Sequence, residues 1–540
     1  MRDPLGVYGA TAPSGRKFVC VSSGEIAAWL PLHDFVLGNK LAFAHLADQG
    51  LLIFDNVDAK MLIQQVKELK QFLPADIVEC VGWNGDVYAL PDGTIFSANE
   101  EKARHVAFRA YPRKCETAGS LKEWKEKVAG PLEGQALGGF VLMLAFVAPL
   151  LRFMPLVKNF AIELVGREGV GKSTLQYLMS SVLGGIGLGN EGRYWNSLDT
   201  TVNALEDAMI EHKDHPIIFD EANLLLAGQG SKAVADSYTA LAFKLSSGDQ
   251  KRRFRESREV GLRIVALIST NQSLREMVDP KSAKTRAAGD RIITIRIPSH
   301  WKHGVYEFLP EGYADGAEYG EALTLAANDH HGHPYRRFIQ KLVKTLAKNE
   351  ARIVDHLERS QAEFLGWTAV DGNKGSDHRV ARAFAAVYAA GVLAQKLNIL
   401  PRTLDCKDAA LACFRLHLAE RVVLVPFIDR LEALAQHKDI LVISGIADKK
   451  TQAKRAQQAL GTLLVKSTHR EIRIDPKKIM VAFPDWDRLR EEKEVQGYLV
   501  KDGSHRQAKA SLAPGQEKRR IWCLRFPLEA DDLFDAVNNG

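Results

Sequence analysis

The chain has 540 residues, of which 46% are hydrophobic and 26% are charged. This balance is typical of globular proteins and excludes a chain that is mainly disordered, collagen-like or a small disulfide scaffold. At roughly 100–200 residues per domain, the length indicates three or four domains. The net charge is only +6, so the distribution of charge, not its total, must be used to argue for nucleic-acid binding.

Three further features bear on the compartment. The six cysteines are scattered without CxxC pairs or zinc-ligand spacing, which favours a reducing environment. The N-terminal residues lack the apolar core of a secretion signal. The longest apolar run, Ala136–Leu151, contains Pro149 and is shorter than the ~20 residues that span a membrane. We therefore expect a buried helix in this run, and a cytoplasmic protein without a membrane partner.

Residues 1–117 are predicted to form a small mixed α+β domain. Asp58–Phe72 has the apolar spacing of a helix. Val78–Phe96 has the pattern of short strands, and an Asn-Gly turn between two of them is a strong hairpin signal. Beyond this domain, Ser120–Glu123 has the pattern of a capping box and indicates the start of a helix.

A glycine-rich loop lies between a strand and a helix in the second predicted domain, residues 118–300. Phe160–Val165 predicts a buried strand, Leu175–Leu183 predicts a helix, and the residues between them include GREGVGKST. This is the GxxxxGK[ST] pattern in the strand–loop–helix context that it requires. Backbone N–H groups of such a loop turn inward around phosphates, and the N-terminus of the helix adds positive potential. The predicted nucleotide-binding residues are Gly166, Glu168, Gly169, Val170, Gly171, Lys172, Ser173 and Thr174.

A second motif follows about fifty residues later, where the strand HPIIF ends in Asp220 and Glu221. Lys172 is expected to reach the β- and γ-phosphates, while Ser173 and Asp220 hold Mg²⁺. Glu221 is expected to orient and polarise the attacking water. The pair of acids favours a hydrolysing machine over a kinase, in which a second substrate supplies the attacking oxygen.

Two more apolar strands carry polar residues at their ends. The first, from Leu262, ends near Asn271, and in AAA+ ATPases this position is sensor 1, which holds the water and the γ-phosphate; Thr270 is the alternative. The second is opened by Arg291, where ring-forming helicases place an arginine finger that acts on the neighbouring subunit, and Arg286 is the alternative. We predict that Asn271 and Arg291 are catalytic.

A basic segment lies between the acid pair and the sensor 1 strand. Its basic residues Lys251, Arg252, Arg253 and Arg255 stand where superfamily 3 and minichromosome-maintenance helicases insert a pore hairpin. Basic side chains on such a hairpin bind a phosphate backbone without reading sequence, and the binding weakens with salt. We predict that these four residues bind DNA; a solvated charged loop is the alternative.

The remaining residues are predicted to form a helical lid region, 301–425, and a basic α+β domain, 426–540. From Lys449 to Arg520 there are eighteen Lys and Arg against nine Asp and Glu, a net charge of +9. Asp485–Glu494 is predicted to be a helix and Gly497–Val500 a strand, followed by a basic loop and a returning strand. This order predicts a winged-helix-like domain that guides or recruits DNA.

Taken together, these motifs resemble a family of AAA+ helicase-like proteins. Phages, plasmids and staphylococcal cassette elements encode this family, which has long been catalogued as a domain of unknown function. The resemblance extends from about Gly82 to Val425, and this chain has Asn271 where family members often have glycine. Besides the glycine-rich loop, the matching stretches are Val81–Trp83, Tyr88–Gly93, Gly119–Trp124, Ala145–Leu151, Trp195, Thr201–Glu206, His212, Arg379–Ala381, Phe384 and Ala389–Gly391.

The resemblance implies an α/β fold with an AAA+ P-loop NTPase core, in which helices flank a parallel sheet. It also implies a helicase related to the minichromosome-maintenance group, working as a ring that we expect to be a hexamer. The cofactors would be ATP and Mg²⁺, and the partners DNA and a replication initiator or primase. A sensor 2 arginine would fall on Arg379, or on Arg382 as the alternative.

The sequence therefore predicts an ATP-dependent DNA helicase or translocase that acts in the replication of a phage or another mobile element. Two alternatives stay open at this point. One is a loader or remodelling ATPase that does not unwind DNA, and the other is an ATP-gated DNA-binding switch with slow turnover.

Overall fold

The structure is a computed structural model of the 540-residue chain. It describes residues 5–36, 40–51, 56–108, 110, 115–185, 196–197, 202–220, 242, 261–273, 291–368, 375–423, 427–443, 449–483, 486–490, 493–503 and 505–528. Contacts divide the chain into two units, Met1–His417 and Leu418–Gly540, and each is described by itself. The four predicted domains are a finer division and stay a prediction.

The first unit opens with a four-stranded sheet in the order β3-β2-β1-β4. Strand β1 pairs antiparallel with β2 and parallel with β4. The helix predicted over 58–72 ends at Glu68, because Phe72 pairs with β1 instead of continuing the helix. The elements are β1 Gly6–Thr11, β2 Lys17–Ser23, β3 Ile26–Pro31, β4 Phe72–Pro74, α1 Leu32–Val36, α2 Lys40–Asp48 and α3 Asn56–Glu68.

Short strands follow, and they confirm the predicted Asn-Gly hairpin. Trp83 pairs with Tyr88 and Asn84 with Val87, while Gly85 has a φ of 64°. A φ in this range costs a glycine little, since it has no Cβ. The strands are β5 Ile77–Val78, β6 Gly82–Asn84, β7 Val87–Ala89, β8 Ile95–Phe96 and β9 His105–Val106, with β5 parallel to β9 and β6-β7-β8 antiparallel.

A parallel sheet of five strands lies in the middle of the first unit, in the order β11-β12-β13-β10-β14. Every residue of its inner strand β10 is buried, which explains why the sequence there is a nearly continuous apolar run. Val165, the last residue of β10, pairs with Thr270 and Arg296, so the carboxyl ends of three strands meet at one edge. The strands are β10 Phe160–Val165, as predicted, β11 Asn196–Ser197, β12 Ile217–Asp220, β13 Val265–Thr270 and β14 Ile292–Arg296.

Helices pack against this sheet and form one apolar core with it. The predicted capping box is confirmed, since Ser120 Oγ accepts the backbone N–H of Glu123 at 3.2 Å. The apolar run 136–151 is buried as one α-helix followed by the 3₁₀-helix Ala148–Phe153, which has Pro149 in its first turn. The helices are α4 Leu121–Trp124, α5 Ala136–Leu144, α6 Lys172–Leu183, α7 Val202–Glu211, α8 Gly316–Asp329, α9 His333–Lys348, α10 Glu350–Thr368, α11 Gly375–Lys396 and α12 Cys406–Val423. Within the described ranges, no helix has the length and apolar character needed to cross a membrane.

The second unit contains a mixed sheet of five strands in the order β15-β16-β17-β19-β18. Strands β15 and β16 are parallel, and the other pairs are antiparallel. Its elements are α13 Phe427–Ala435, β15 Ile440–Ile443, α14 Lys449–Gln458, β16 Gly461–Val465, β17 Arg470–Ile474, α15 Ile479–Ala482, α16 Trp486–Leu489, α17 Lys493–Tyr498, β18 Ala508–Ala510 and β19 Arg519–Phe526.

This unit differs from the sequence prediction between 485 and 500. Two short helices, α16 and α17, stand where one helix was predicted, and Gly497 and Tyr498 belong to α17, not to a strand. The reason is that Val495 and Tyr498, three residues apart, pack on the same core, which is helical periodicity. Leu499 and Val500 do pair with β19, since Leu499 bridges Leu524 and Val500 donates its N–H to the Cys523 carbonyl oxygen at 2.9 Å. The returning strand is confirmed as β19, whereas the winged-helix interpretation stays a prediction.

A buried network joins the β6-β7 hairpin to the amino ends of β12 and β13. The Asp214 carboxylate is fully buried, forms an ion pair with Arg263 and accepts the backbone N–H of Trp83 at 3.0 Å. Tyr88 Oη donates to the Asp214 carbonyl oxygen at 2.6 Å. A buried charge is stable only when it is paired and hydrogen-bonded, so Asp214 depends on contacts from both sides. The approach is close enough that a Cβ on Gly82 would lie 2.3 Å from the Lys213 carbonyl oxygen.

This close approach predicts unequal effects of two glycine substitutions. Gly82 and Gly85 both have positive φ, 80° and 64°, but a Cβ on Gly85 meets nothing within 4 Å. Gly85→Ala should cost about 1–2 kcal/mol from backbone strain alone. Gly82→Ala should lower the thermal midpoint further, because its Cβ clashes with backbone. Equal midpoints for the two variants, measured by calorimetry, would contradict the docking of the hairpin.

Candidate functional site

The loop between β10 and α6 has the backbone form that its glycines predict. Gly169 and Gly171 have φ values of 76° and 98°, which L side chains rarely adopt, and Gly171 precedes the first residue of α6. The loop is held from outside by residues 304–305, since Val170 O accepts the N–H of Val305 at 2.8 Å. A Cβ on Gly171 would lie 2.9 Å from a methyl carbon of Val305, so the loop and the 304–305 segment fit only with glycine there.

Lys172 links this loop to the end of β13. Its Nζ donates to the carbonyl oxygens of Gly166 at 2.7 Å and Arg167 at 2.9 Å, and to Asn271 Oδ1 at 2.9 Å. Partial burial lowers the pKa of Lys172, while the negative charges of Asp220 and then Glu168 raise it. The sequence-predicted Lys172 and Asn271 therefore lie in direct contact.

Asp220 ends β12 at the same edge of the sheet. Ser269 Oγ donates to Asp220 Oδ1 at 2.8 Å and thereby fixes one oxygen of the carboxylate. The buried Gln176 of α6 donates from Nε2 to the carbonyl oxygen of Phe219 at 2.8 Å. This bond ties the end of β12 to the helix that follows the glycine-rich loop, so the predicted metal ligand is held from two sides.

These groups line one cavity of about 1200 Å³. It brings together the predicted residues Glu168, Gly169, Val170, Gly171, Lys172, Ser173, Thr174, Asp220 and Asn271, with Thr270 beside them; Gly166 does not line it, but its carbonyl oxygen binds Lys172. General physical chemistry supports an anion site here, since loop N–H groups, a helix N-terminus and a lysine share one cavity.

A further part of the cavity lining was not predicted from the sequence. It consists of the 302–304 segment, Asp315, which caps α8, and residues of α8 from Gly316 to Leu325. Gly320 allows α8 to approach α6, because a Cβ there would lie 3.2 Å from Thr174 Oγ1. No local motif marks these residues, and Ser269 was also missed, although it precedes the predicted Thr270 and Asn271.

The oxygen donors on the side of the cavity formed by Ser173 and Asp220 fit Mg²⁺. Ser173 and Asp220 offer a hydroxyl and a carboxylate oxygen, and hard oxygen ligands are what Mg²⁺ prefers. Within the described ranges, no group of three or more His, Cys, Asp or Glu side chains forms a cation cage. Magnesium in nucleotide sites is held by one or two protein oxygens together with substrate phosphates, so a small donor set is what such a site requires.

The predicted arginines lie outside this cavity. Arg291 precedes β14, and its carbonyl oxygen accepts the N–H of Ala161 near the amino end of β10, at the opposite edge of the sheet. Arg379 is exposed on α11, and Arg382 lies on the same helix. None of the three lines the cavity of its own chain.

Six further predicted site residues lie outside the described residues. They are Glu221, Arg286, Lys251, Arg252, Arg253 and Arg255. Their predicted roles stay predictions.

The fold is mixed α/β with parallel strands and helices, and it is the fold of a solved helicase. The structure titled SCCmec type IV Cch, an active helicase, matches with a TM-score of 0.58 at 15% identity, over 99% of this chain and 95% of that chain. At this identity the likeness shows the fold alone. The C-terminal region of NrS-1 matches at 9% identity over 73% of this chain and 88% of its own, with a TM-score of 0.30, which is too distant to bear on the fold.

Residues 22–265 match the family described as a domain of unknown function, DUF927. The match begins in β2 and ends at the first residue of β13, so it includes the glycine-rich loop and Asp220. A search of curated proteins finds none that matches the chain. The resemblance predicted from the sequence, to a helicase-like family of unknown function that occurs in staphylococcal cassettes, is confirmed.

The charges around Lys172 predict how polyanion binding changes with pH. Tripolyphosphate binding should weaken as pH rises and Lys172 loses its proton, and this loss should start below the pH expected for an ordinary lysine. Asp220→Asn removes a charge that raises the pKa of Lys172, so the loss should move to lower pH still. Calorimetric titrations without Mg²⁺ would measure both profiles, and Asp329→Asn, outside the cavity, should leave the profile unchanged. An unshifted profile in Asp220→Asn would contradict the coupling.

Proposed function

We propose that the chain is an ATP-dependent, ring-forming DNA helicase or translocase with an AAA+ P-loop core. Its biological role would be the replication of a phage or another mobile element. The observation that carries the proposal is the meeting of the glycine-rich loop, Lys172, Asp220 and Asn271 in one cavity at the carboxyl edge of a parallel sheet. Ligands of open α/β sheets bind outside this edge. The likeness to the fold of a solved helicase supports the same function.

The residues of the cavity divide the work of phosphoryl transfer. Loop N–H groups and Lys172 bind and orient the phosphates, and Ser173 and Asp220 would hold Mg²⁺, which would supply charge neutralisation. Asn271 orients the water and the γ-phosphate from the end of β13. Glu221 polarises the attacking water. The residues between 315 and 325 that line the same cavity would contact the rest of the nucleotide.

A ring would complete the site. Arg291 lies a five-residue strand away from the cavity edge of its own chain, which is roughly 16 Å. An arginine at the opposite edge of the sheet would act on the nucleotide of a neighbouring subunit. Arg379 would act on a neighbouring subunit in the same way. The ring would contain six subunits. Hydrolysis would change the contacts between these subunits and move the segment that carries Lys251, Arg252, Arg253 and Arg255 along DNA. The basic C-terminal unit would guide or recruit DNA, with an initiator or primase as a further partner.

The first test is unwinding of a forked DNA duplex with ATP and Mg²⁺. The wild type should separate the strands and form rings that mass photometry detects. Glu221→Gln should form the same rings and bind ATP but should not unwind, because no group polarises the water. The variant therefore controls for assembly and nucleotide binding.

Other outcomes of this test favour other functions. If DNA stimulates hydrolysis but the strands do not separate, the function is that of a loader or remodelling ATPase and not of a helicase. If a single burst of hydrolysis is followed by negligible steady-state turnover, the protein is an ATP-gated DNA-binding switch and not a helicase.

Shared sites predict complementation between two inactive variants. Arg291→Ala should keep nucleotide binding but lose about 10³-fold or more in hydrolysis, as expected when an arginine finger is removed. Lys172→Ala should lose nucleotide binding. Mixed rings of the two variants should regain part of the activity, because some interfaces then have an intact Lys172 facing an intact Arg291. If mixing restores no activity, the claim of a shared site fails.

A further inference from the structure

One acidic residue lies in the middle of β10, a strand of the parallel sheet in which every residue is buried. Glu163 is fully buried in β10, whose other residues, Phe160–Ile162 and Leu164–Val165, are apolar. Inner strands of parallel sheets are normally apolar throughout, and a buried carboxyl group is costly unless its oxygens are hydrogen-bonded. Its presence at this position therefore calls for a specific set of partners.

Among the residues that the structure describes, three hydroxyl groups donate hydrogen bonds to Glu163. Thr294 Oγ1 of β14 donates to Oε2 at 2.7 Å, and Ser273 Oγ donates to the same oxygen at 3.1 Å. Thr270 Oγ1, at the end of β13, donates to Oε1 at 3.4 Å. The carboxyl group thus joins β14, the end of β13 and the turn that follows β13.

Two of these partners flank Asn271. Thr270 precedes it, and Ser273 follows two residues later; both are buried, whereas Asn271 is exposed at the cavity. The backbone adds one more tie, because Thr270 O accepts the N–H of Gly166 at 3.2 Å. Asn271 therefore stands on a turn whose two sides are fixed to the same carboxyl group, and its Oδ1 reaches Lys172 at 2.9 Å.

We propose that Glu163 is a positioning residue for the nucleotide reaction. It holds the 270–273 turn from beneath and thereby fixes the Asn271 amide against Lys172. Glu163 is not among the residues that line the cavity, and its hydrogen bonds to Thr270 and Ser273 connect it to the turn that carries Asn271. This inference rests on the proposed function, since it assigns Glu163 to the ATP site.

Stability alone is a weak explanation for this carboxyl group. Replacing buried polar groups with apolar residues of similar volume is often neutral or stabilising. The chain also offers a matched comparison: Asn159 links β10 to the β13 segment at the opposite edge, donating to Leu262 O at 2.8 Å and accepting from Ile264 N at 3.0 Å. It ties together the segments that enter β10 and β13, and these two hydrogen bonds do not reach the 270–273 turn.

The experiment compares Glu163→Met, Glu163→Gln, Ser273→Ala and Asn159→Ala in the full chain. Glu163→Met keeps the volume but accepts no strong hydrogen bond, so kcat for ATP should fall about 10- to 100-fold, the range for a misplaced catalytic group. The Kd for ATP should stay within about twofold, because the loop is unchanged. Glu163→Gln keeps an acceptor and should recover most of kcat. Asn159→Ala should lower only the thermal midpoint.

The partner of Glu163 is tested by combining two substitutions. Ser273→Ala should lower kcat on its own but add nothing to Glu163→Met, because both remove the same tie. If the two losses in kcat multiply in the double variant, Glu163 does not act through Ser273. An unchanged kcat in Glu163→Met, or a Kd that weakens as much as kcat falls, would overturn the positioning role of Glu163.

Hydrogen exchange separates this inference from the proposed function. Amide exchange over residues 269–273 should speed up in Glu163→Met and not in Asn159→Ala, whether or not the protein hydrolyses ATP. If the wild type does not hydrolyse ATP, the proposed function fails, while the exchange result still decides whether Glu163 holds the turn. Equal exchange in wild type and Glu163→Met overturns the positioning role even if ATP is hydrolysed.

Discussion

The parallel pairing of β10 with β13 and β14 is the constraint on which the site depends. Val165 lies beside Thr270 and Arg296 in this register, so the glycine-rich loop and Asn271 leave the sheet at the same edge. A slip of one residue would turn every side chain of β10 to the other face. Glu163 would then lose its hydroxyl partners, and Lys172 would lose the register that brings it to Asn271.

Much of the site could be predicted because its signals are local. The glycine pattern, the strand before it and the helix after it lie within about two dozen residues, and all three are present in the structure. Asp220 and Asn271 could be placed because buried apolar runs end at them. The capping box at Ser120 and the hairpin at Asn84 were predictable for the same reason, since each is a short sequence pattern with one geometry.

The rest could not be predicted, because it depends on contacts between distant residues. Asp214 reads as a surface acid in the sequence, yet Trp83, 131 residues earlier, donates to it. Phe72 continues the helical pattern of α3 but forms a strand with β1, and Tyr498 belongs to a helix because its neighbours pack into a core. Glu163 did give a local signal, a single acidic residue in an apolar strand, but its meaning required knowing which hydroxyl groups surround it.

The docking of the β6-β7 hairpin also limits where the chain can be cut. A fragment that began at residue 118 would keep the sheet and the glycine-rich loop but would lack Trp83 and Tyr88. Asp214 would lose its backbone donor, and Tyr335 would lose the Tyr88 hydroxyl that lies 2.8 Å from its own. The hairpin is thus part of the packing that supports the parallel sheet. When N-terminal segments are exchanged among such proteins, in nature or by engineering, we therefore expect the junction to lie before Gly82. Residues before Gly82 do not contribute to the hydrogen bonds around Asp214 described above.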